Sequence, residues 1–232
     1  MRLRMGQGVK SKESGLDKKR YNRLAPFYDR FESPMEVFNY SRWRAKLRQY
    51  IPTSGTIFEV GVGTGKNLPF YNKDQRLVAI DISENMLARA KKKKSTADIN
   101  LVQMDVEELG FPDDVFDAAI STYVFCSVED PINGLKEIKR VLKETGVIVF
   151  LEHMRSETEL MGRVMDVLNP IVAKNFGPNI NRRTIKNIQK AGFEIIKEEF
   201  LISTVFRLIL AKPKTDKLTI NYFGNTINPK NR

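Results

Sequence analysis

The stretch Thr56-Ile57-Phe58-Glu59-Val60-Gly61-Val62-Gly63-Thr64-Gly65-Lys66-Asn67-Leu68 decides how the rest of the chain is read. A short apolar run ends in an acid, three glycines follow at alternate positions, and a helix-like segment begins. That pattern predicts a buried strand, a tight turn and a helix N-terminus. The glycines let the backbone take unusual dihedrals and come close to a ligand. A dinucleotide fingerprint, G-x-G-x-x-G, would put its third glycine at Lys66 or Leu68, so neither register fits. A P-loop would need glycine at Val60 and Ser or Thr at Asn67. Glu59, at the carboxyl end of the strand, would repel a phosphate and suits a cationic or hydroxyl-bearing ligand.

A second strand signal, Leu77-Val78-Ala79-Ile80-Asp81, also ends in an acid, 20 residues after Gly61. An acid at the end of the second strand of a Rossmann-like unit accepts hydrogen bonds from ribose hydroxyls. The implied ligand has a ribose and lacks a pyrophosphate. S-adenosylmethionine (SAM) meets both conditions, and its sulfonium and amino group favour a nearby carboxylate.

With Met104-Asp105-Val106 further on, the sequence resembles the class I SAM-dependent methyltransferases, whose cofactor motifs these are, in order. The resemblance implies that Gly61, Gly63 and Gly65 form the close turn, Asp81 holds the ribose, and Asp105 holds the adenine amino group. It also implies cofactor contacts from Glu59, Thr64, Asn67, Ile82, Met86, Val106 and Thr122. A Y-x-x-x-A-x-x-Y-D segment from Tyr21 to Asp29 is similar to one that closes over the cofactor in related enzymes, which makes Tyr21 and Tyr28 candidate lid residues. No metal site is called for.

The net charge is +11, unevenly placed: +8 over residues 1–50, −1 over 51–211 and +4 over 212–232. Three regions follow: a basic N-terminal region with a lid and an amphipathic helix (1–50), a methyltransferase core (51–211) and a basic tail (212–232). Basic ends attract anionic surfaces, lipid or nucleic acid. No aromatic–basic RNA motif appears, so nucleic acid is the lesser expectation. Cys126 is the only cysteine, so an intrachain disulfide is excluded and a reducing, cytoplasmic compartment is expected. The basic start is not followed by an apolar run, and no stretch reaches the ~20 apolar residues of a spanning helix. A soluble protein, or one peripheral to the inner face of the membrane, is expected.

Along the chain, Val37, Tyr40, Trp43, Leu47 and Ile51 predict an amphipathic helix over Met35 to Ile51, with arginines and lysine on its other faces. Ser83 is expected to cap a helix running to about Lys94. Ile99–Gln103, Phe116–Thr122 and Val147–Leu151 read as strands, and Pro131–Leu142 as a helix. Alternation of strands and helices predicts a Rossmann-like, mostly parallel sheet with helices on both faces. Phe193–Phe200 and Ser203–Ala211 are joined too closely to be parallel, and the resembling family has seven strands with an antiparallel last strand. Leu160 to Val172 reads as an apolar helical insertion, and Thr184 as the cap of a helix ending before Gly192.

Acceptors bind outside the carboxyl ends of such strands. The fourth ends in Ser121-Thr122-Tyr123-Val124 and the fifth in Glu152-His153-Met154. His153, the only histidine, is expected to act as general base, with Tyr123 orienting the acceptor. Asn67-Leu68-Pro69-Phe70-Tyr71, Val124-Phe125-Cys126-Ser127-Val128 and Leu151-Glu152-His153 make the chain similar to the UbiE-like group, and within it to bacterial phospholipid N-methyltransferases and membrane-associated thiol methyltransferases. That implies methyl transfer to a small amphipathic acceptor, first a phosphatidylethanolamine-type lipid amine, otherwise a quinone carbon or a thiol. The non-enzymatic alternative is a SAM- or nucleic-acid-binding protein. A nicotinamide oxidoreductase fails on the missing glycine.

Overall fold

The computed structural model describes residues 18–26 and 40–214. Seven strands form one sheet: β1 (Gly55–Val60), β2 (Gln75–Asp81), β3 (Asp98–Gln103), β4 (Phe116–Thr122), β5 (Leu142–His153), β6 (Phe193–Ile202) and β7 (Phe206–Pro213). Their order is β3-β2-β1-β4-β5-β7-β6. Pairs among β1 to β5 are parallel, and β7 runs antiparallel between β5 and β6. The strand order reverses at β1, so the carboxyl ends of β1 and β4 flank the crevice where ligands bind such sheets.

The strand period of two divides the side chains between two cores. Phe58, Val60, Phe116 and Phe150 face α4 (Pro131–Val141) and α6 (Thr184–Lys190), through Leu135, Ile138, Val141 and Ile188. Ile57, Leu77, Ile120 and Leu151 face α2 (Ser41–Leu47) and α3 (Glu84–Ala90), through Leu47, Leu87 and Ala90. Residues 18–26 form helix α1, and α5 (Glu159–Phe176) is the insertion between β5 and α6. Among the described residues no helix is long and apolar enough to cross a membrane.

Several elements differ from the sequence expectation. No α-helix follows the glycine loop. A chain of turns leads into a 3-10 turn, Leu68–Phe70, because Pro69 sits where a helix would need an N–H and Tyr71 is drawn inward beneath β1. The helix expected over 35–51 is seen as α2 followed by a 3-10 turn, Arg48–Tyr50; positions 35–39 lie outside the described residues, as does Tyr28. Helix α3 ends at Ala90, with the lysine run in turns beyond it. Ser83 caps it as expected, accepting from the Met86 N–H. Strand β5 begins at Leu142, directly after α4, earlier than the apolar run suggests. Arg183, not Thr184, precedes α6; Thr184 is its first residue and is buried.

Candidate active site

The loop after β1 depends on backbone that only glycine takes easily. Gly61 and Gly63 have φ of +63° and +55°. A Cβ on Gly61 would lie 2.4 Å from Val124 Cγ2, so this turn packs directly on the loop after β4. A Cβ on Gly63 would meet nothing within 4 Å and would project into the cleft. The turn is tied to β2 by the Val62 N–H donating to the Ile80 carbonyl at 2.9 Å.

Asp81, at the end of β2, is the neighbouring anchor. Its Oδ2 accepts the Gly63 N–H at 2.8 Å and its Oδ1 the Ser83 N–H at 2.9 Å. Burial pushes its carboxyl up to about 6 against the pull of these two bonds. Each oxygen keeps a lone pair for a further donor. Asp105 lies past β3, where its Oδ1 accepts the Glu107 N–H at 3.0 Å.

Glu59 faces away from this space. It is fully buried on the α2 side of the sheet. Its carboxylate accepts from Asn67 Nδ2 at 2.8 Å and from the Tyr71 hydroxyl at 2.9 Å. Burial pushes it up to about 7, with Asn67, Tyr71 and Arg44 opposing. Arg44 donates to Asn67 Oδ1 at 3.0 Å and to Thr122 Oγ1 at 3.2 Å. Glu59, Asn67, Tyr71, Arg44 and Thr122 thus form one polar network beneath the glycine loop, joining α2 to the ends of β1 and β4.

At the end of β4, Tyr123 has φ of +59°, a conformation that costs on the order of 1–2 kcal/mol for a non-glycine residue and concentrates at functional sites. Its ring stacks on Tyr40 at 4.7 Å, and Tyr40, Trp43 and Phe206 complete an aromatic cluster. Glu152 lies on the opposite side of the sheet. Its Oε1 accepts from Ser121 Oγ at 3.0 Å, from the Val124 N–H at 3.0 Å and from the Phe125 N–H at 3.3 Å. It therefore sets the path of the loop after β4. Burial pushes it, too, up to about 7.

A single cleft collects these parts, with about 810 Å³ of empty space including its open mouth. Of the residues singled out from the sequence, Gly61, Gly63, Asp81, Ile82, Met86, Asp105, Val106, Thr122 and Tyr123 line it. Glu59, Thr64, Gly65 and Asn67 do not line it; Glu59 and Asn67 belong to the polar network beneath the loop. Gly65 instead lets α3 approach, since a Cβ there would lie 3.0 Å from Ala90 Cα. Tyr21, from α1, closes one side, its hydroxyl 2.6 Å from Ser127 Oγ.

Sequence reasoning missed Ser127, Val128 and Glu129 after β4 and Glu107 after β3. Their position past strand ends was the available signal. It also misplaced His153, which is absent from the cleft wall. His153 lies on the α2 side with its ring 6.3 Å from that of Phe206, and burial holds it down at about 4. Successive residues of a strand point to opposite faces, so Glu152 reaches the loop after β4 and His153 packs among the aromatics.

The residues fit SAM. Gly63 leaves open the space that a Cβ would fill. Asp81 is buried with acceptor capacity spare. The apolar walls of Val60, Ile80, Met86, Met104 and Val106 suit a flat purine. This fold and cleft define a class I SAM-dependent methyltransferase. Residues 58–150 match the family described as the methyltransferase domain. A phosphatidylethanolamine N-methyltransferase of Cereibacter sphaeroides is 38% identical over 103 residues, 43% of this chain and 51% of that enzyme, so the match spans about half its length. A demethylmenaquinone methyltransferase of Clavibacter sepedonicus is 32% identical over 70% of this chain and 68% of its own. Among solved structures, a SAM-dependent methyltransferase of Thermotoga maritima, described as a possible histamine N-methyltransferase, has a TM-score of 0.66 at 22% identity, covering 84% of this chain and 99% of its own. The chain belongs to the SAM-dependent methyltransferases, in the UbiE-like group.

Proposed function

We propose that the acceptor is a lipid amine of the phosphatidylethanolamine type, methylated on nitrogen at the cytoplasmic surface of a membrane. One observation carries this reading: among the described residues, every charged side chain lining the cleft is a carboxylate. Among the described residues Asp81, Asp105, Glu107 and Glu129 are there, and no lysine or arginine, in a chain of net charge +11. Such a wall favours cations and disfavours a thiolate or another anion.

SAM supplies an electrophilic methyl on a sulfonium. In this reading Asp81 accepts from the ribose hydroxyls, Asp105 accepts from the adenine amino group, Gly61 and Gly63 bring backbone close to the ligand, and Met86 and Val106 hold the purine. Thr122 and Tyr123 border the acceptor. Tyr123 orients it by its ring face, which attracts an ammonium, and by its hydroxyl. Tyr21 covers the cofactor and excludes water, and positioning of this kind accounts for most of what methyl transfer asks of a protein.

A second reading, C-methylation of a quinol, is favoured by Tyr123, an aromatic side chain of the cleft wall against which a flat acceptor ring would stack. Incubation with methyl-labelled SAM and, separately, phosphatidylethanolamine in mixed micelles, a demethylated quinol and an alkyl thiol decides between them. Label in mono- and dimethylated phosphatidylethanolamine is expected. Label in the quinol or the thiol alone overturns the amine.

A further inference from the structure

Helix α5 is amphipathic the wrong way round for a globular protein. The side turned to the rest of the chain is held largely by polar contacts. Asp166 accepts from Arg155 at 2.9 Å and from Asn181 Nδ2 at 3.0 Å, and Asn169 donates to Asn179 at 3.1 Å. Among its described side chains, Met165 is the one large apolar residue that is buried. The opposite side carries Leu160, Met161, Val164, Val167, Leu168 and Ile171, all exposed, with Leu160 at 76%, Val167 at 74% and Ile171 at 62%. At the helical period these six fall within an arc of about 120°. A continuous apolar stripe in water marks an interaction surface.

We propose that α5 is an interfacial helix that seats this stripe in the acyl boundary of an anionic bilayer. The proposal deepens the lipid-amine reading and, in how it brings the acceptor to the cleft, rests on it.

Charge identifies the partner. From Val167 to Phe193 the chain holds Lys174, Arg182, Arg183, Lys186 and Lys190 and not one Asp or Glu. The two acids of α5 lie off the stripe, Glu159 paired with Arg163 at 2.9 Å and Asp166 with Arg155. At the helical period Arg163 and Lys174 border the stripe on one side, and a helix with one apolar face bordered by basic residues lies in the plane of an anionic interface. Size argues against a second copy of the chain. Eighteen residues make a strip about 27 Å long and on the order of 300 Å², against about 800 Å² per partner in a stable dimer.

Position links the surface to the site. The helix ends at Gly177, where a Cβ would lie 3.0 Å from Arg20 of α1. Two residues on, the Asn179 N–H donates to the Cys126 carbonyl at 2.8 Å. Arg20 is next to Tyr21 and Cys126 next to Ser127, the pair that closes the cleft. A bilayer touching α5 therefore meets the protein beside the cleft's mouth.

The test is flotation with vesicles of phosphatidylcholine containing phosphatidylglycerol, for the full chain and for a Val167→Glu/Ile171→Glu double variant. Both sites are exposed, and an unchanged melting temperature without lipid checks folding. The wild type is expected to float, and the variant to partition at least about tenfold more weakly, as two charges placed in an interfacial stripe require. A Val167→Cys variant gives a second readout, because Cys126 is buried and the chain has no other cysteine. An environment-sensitive dye at position 167 is expected to shift blue on these vesicles.

Equal flotation of both proteins, or an unshifted dye, overturns the proposal. So does a wild-type dimer that the double variant dissolves in the absence of lipid, which assigns the stripe to a second copy. A variant destabilised without lipid assigns it to a segment of the chain itself and likewise overturns the proposal. Methylation of phosphatidylethanolamine in detergent micelles is scored separately. If it fails while vesicle binding depends on α5, the acceptor reading falls and the surface stands. If it succeeds while vesicle binding ignores α5, the reverse holds.

Discussion

The hydroxyl of Tyr21 lies 2.6 Å from Ser127 Oγ, joining helix α1 to the loop after β4 across one side of the cleft. A second tie fixes the same helix, since Asn22 Oδ1 accepts from Ser83 Oγ at 2.6 Å and its backbone carbonyl accepts from Asn85 Nδ2 at 3.0 Å. The helix is thus pinned both to the loop after β4 and to the residues just past Asp81. Tyr21→Phe removes one neutral hydrogen bond, about 1 kcal/mol, and should speed SAM release by roughly fivefold. Stopped-flow displacement measures it. A rate within twofold of wild type would show that the bond does not hold the lid.

Gly61 and Gly63 should fail in different ways. Gly61→Ala forces a Cβ to 2.4 Å from Val124 Cγ2 at a positive φ, and should destabilise the fold by about 2 kcal/mol or more. Gly63→Ala carries only the dihedral strain, on the order of 1 kcal/mol, because its Cβ meets no protein atom. Its Cβ enters the cleft, so it should melt near wild type and yet lose SAM binding. Thermal melts beside calorimetric titrations separate the two. Equal melting temperatures for the two variants would remove the distinction.

Asp81→Asn should weaken SAM binding by about 1–3 kcal/mol, the scale of a hydrogen bond to a charged group, and NAD should bind neither form. The carboxyl titrates near 6 in the free protein because burial disfavours its charge. In the proposed role of Asp81 the SAM hydroxyls favour the carboxylate, so affinity should be constant above about pH 6.5 and fall by up to about tenfold per pH unit below 6. Isothermal titration between pH 5 and 8 checks this. An Asp81→Asn variant with the same pH profile would exclude Asp81 as its source.

Glu152→Gln tests a buried acid that shapes the loop after β4. Its folded-state value of about 7 exceeds the ordinary 4.5, and burial is the cause. The folded state therefore binds the proton more tightly. Its contribution to stability is present below about pH 4.5, is lost as pH rises through 7, and amounts to on the order of 3 kcal/mol. Glutamine keeps an oxygen for the Val124 and Phe125 N–H groups and carries no charge. The variant should be more stable than wild type at pH 8 and nearly equal at pH 5, by chemical denaturation. A variant less stable at pH 8 would show that the carboxylate is needed there.

The local motifs were readable because each is set by neighbours in sequence. The strand ending at Val60, the glycine turn, Asp81 and Asp105 follow from a period of two, from residues that tolerate positive φ, and from acids at strand ends. The antiparallel β7 followed from a connection too short to cross over. What escaped depends on contacts distant in sequence. Tyr71 leaves the path of a helix because Glu59 draws it under β1. Glu107, Ser127 and Glu129 reach the cleft only once β3 and β4 stand beside β1. In sequence α5 reads only as an apolar helical insertion, since the apolar spacing is the same for a stripe that faces inward and one that faces water. Which side of it faces water is decided by the polar grip of Arg155, Asn179 and Asn181 on the other.

His153 shows the same limit in one residue. Its place past the end of β5 suggested a base poised at the acceptor, yet neighbouring strand residues point to opposite faces. The imidazole sits against Phe206, outside the cleft wall. Burial lowers its value from 6.5 to about 4, so at neutral pH it is uncharged and a weak base. An ammonium acceptor holds its proton far too tightly for such a group. His153→Ala should therefore leave turnover per folded molecule within about threefold, against the 10²-fold or more typical of a lost general base. The pH dependence of stability should change instead. A base with a lowered folded-state value contributes stability that is whole above about 6.5 and is lost as pH falls through 4. That slope opposes the gain from Glu59 and Glu152 over nearly the same window, because their raised values strengthen the fold as pH falls from 7 toward 4.5. Removing His153 should uncover the acids, so the variant gains more stability than wild type between pH 7 and 5 while losing packing at every pH. Denaturation curves and turnover, both taken from pH 5 to 9, decide the matter. A turnover defect of two orders of magnitude at neutral pH that shrinks as pH rises would return His153 to the acceptor as its base.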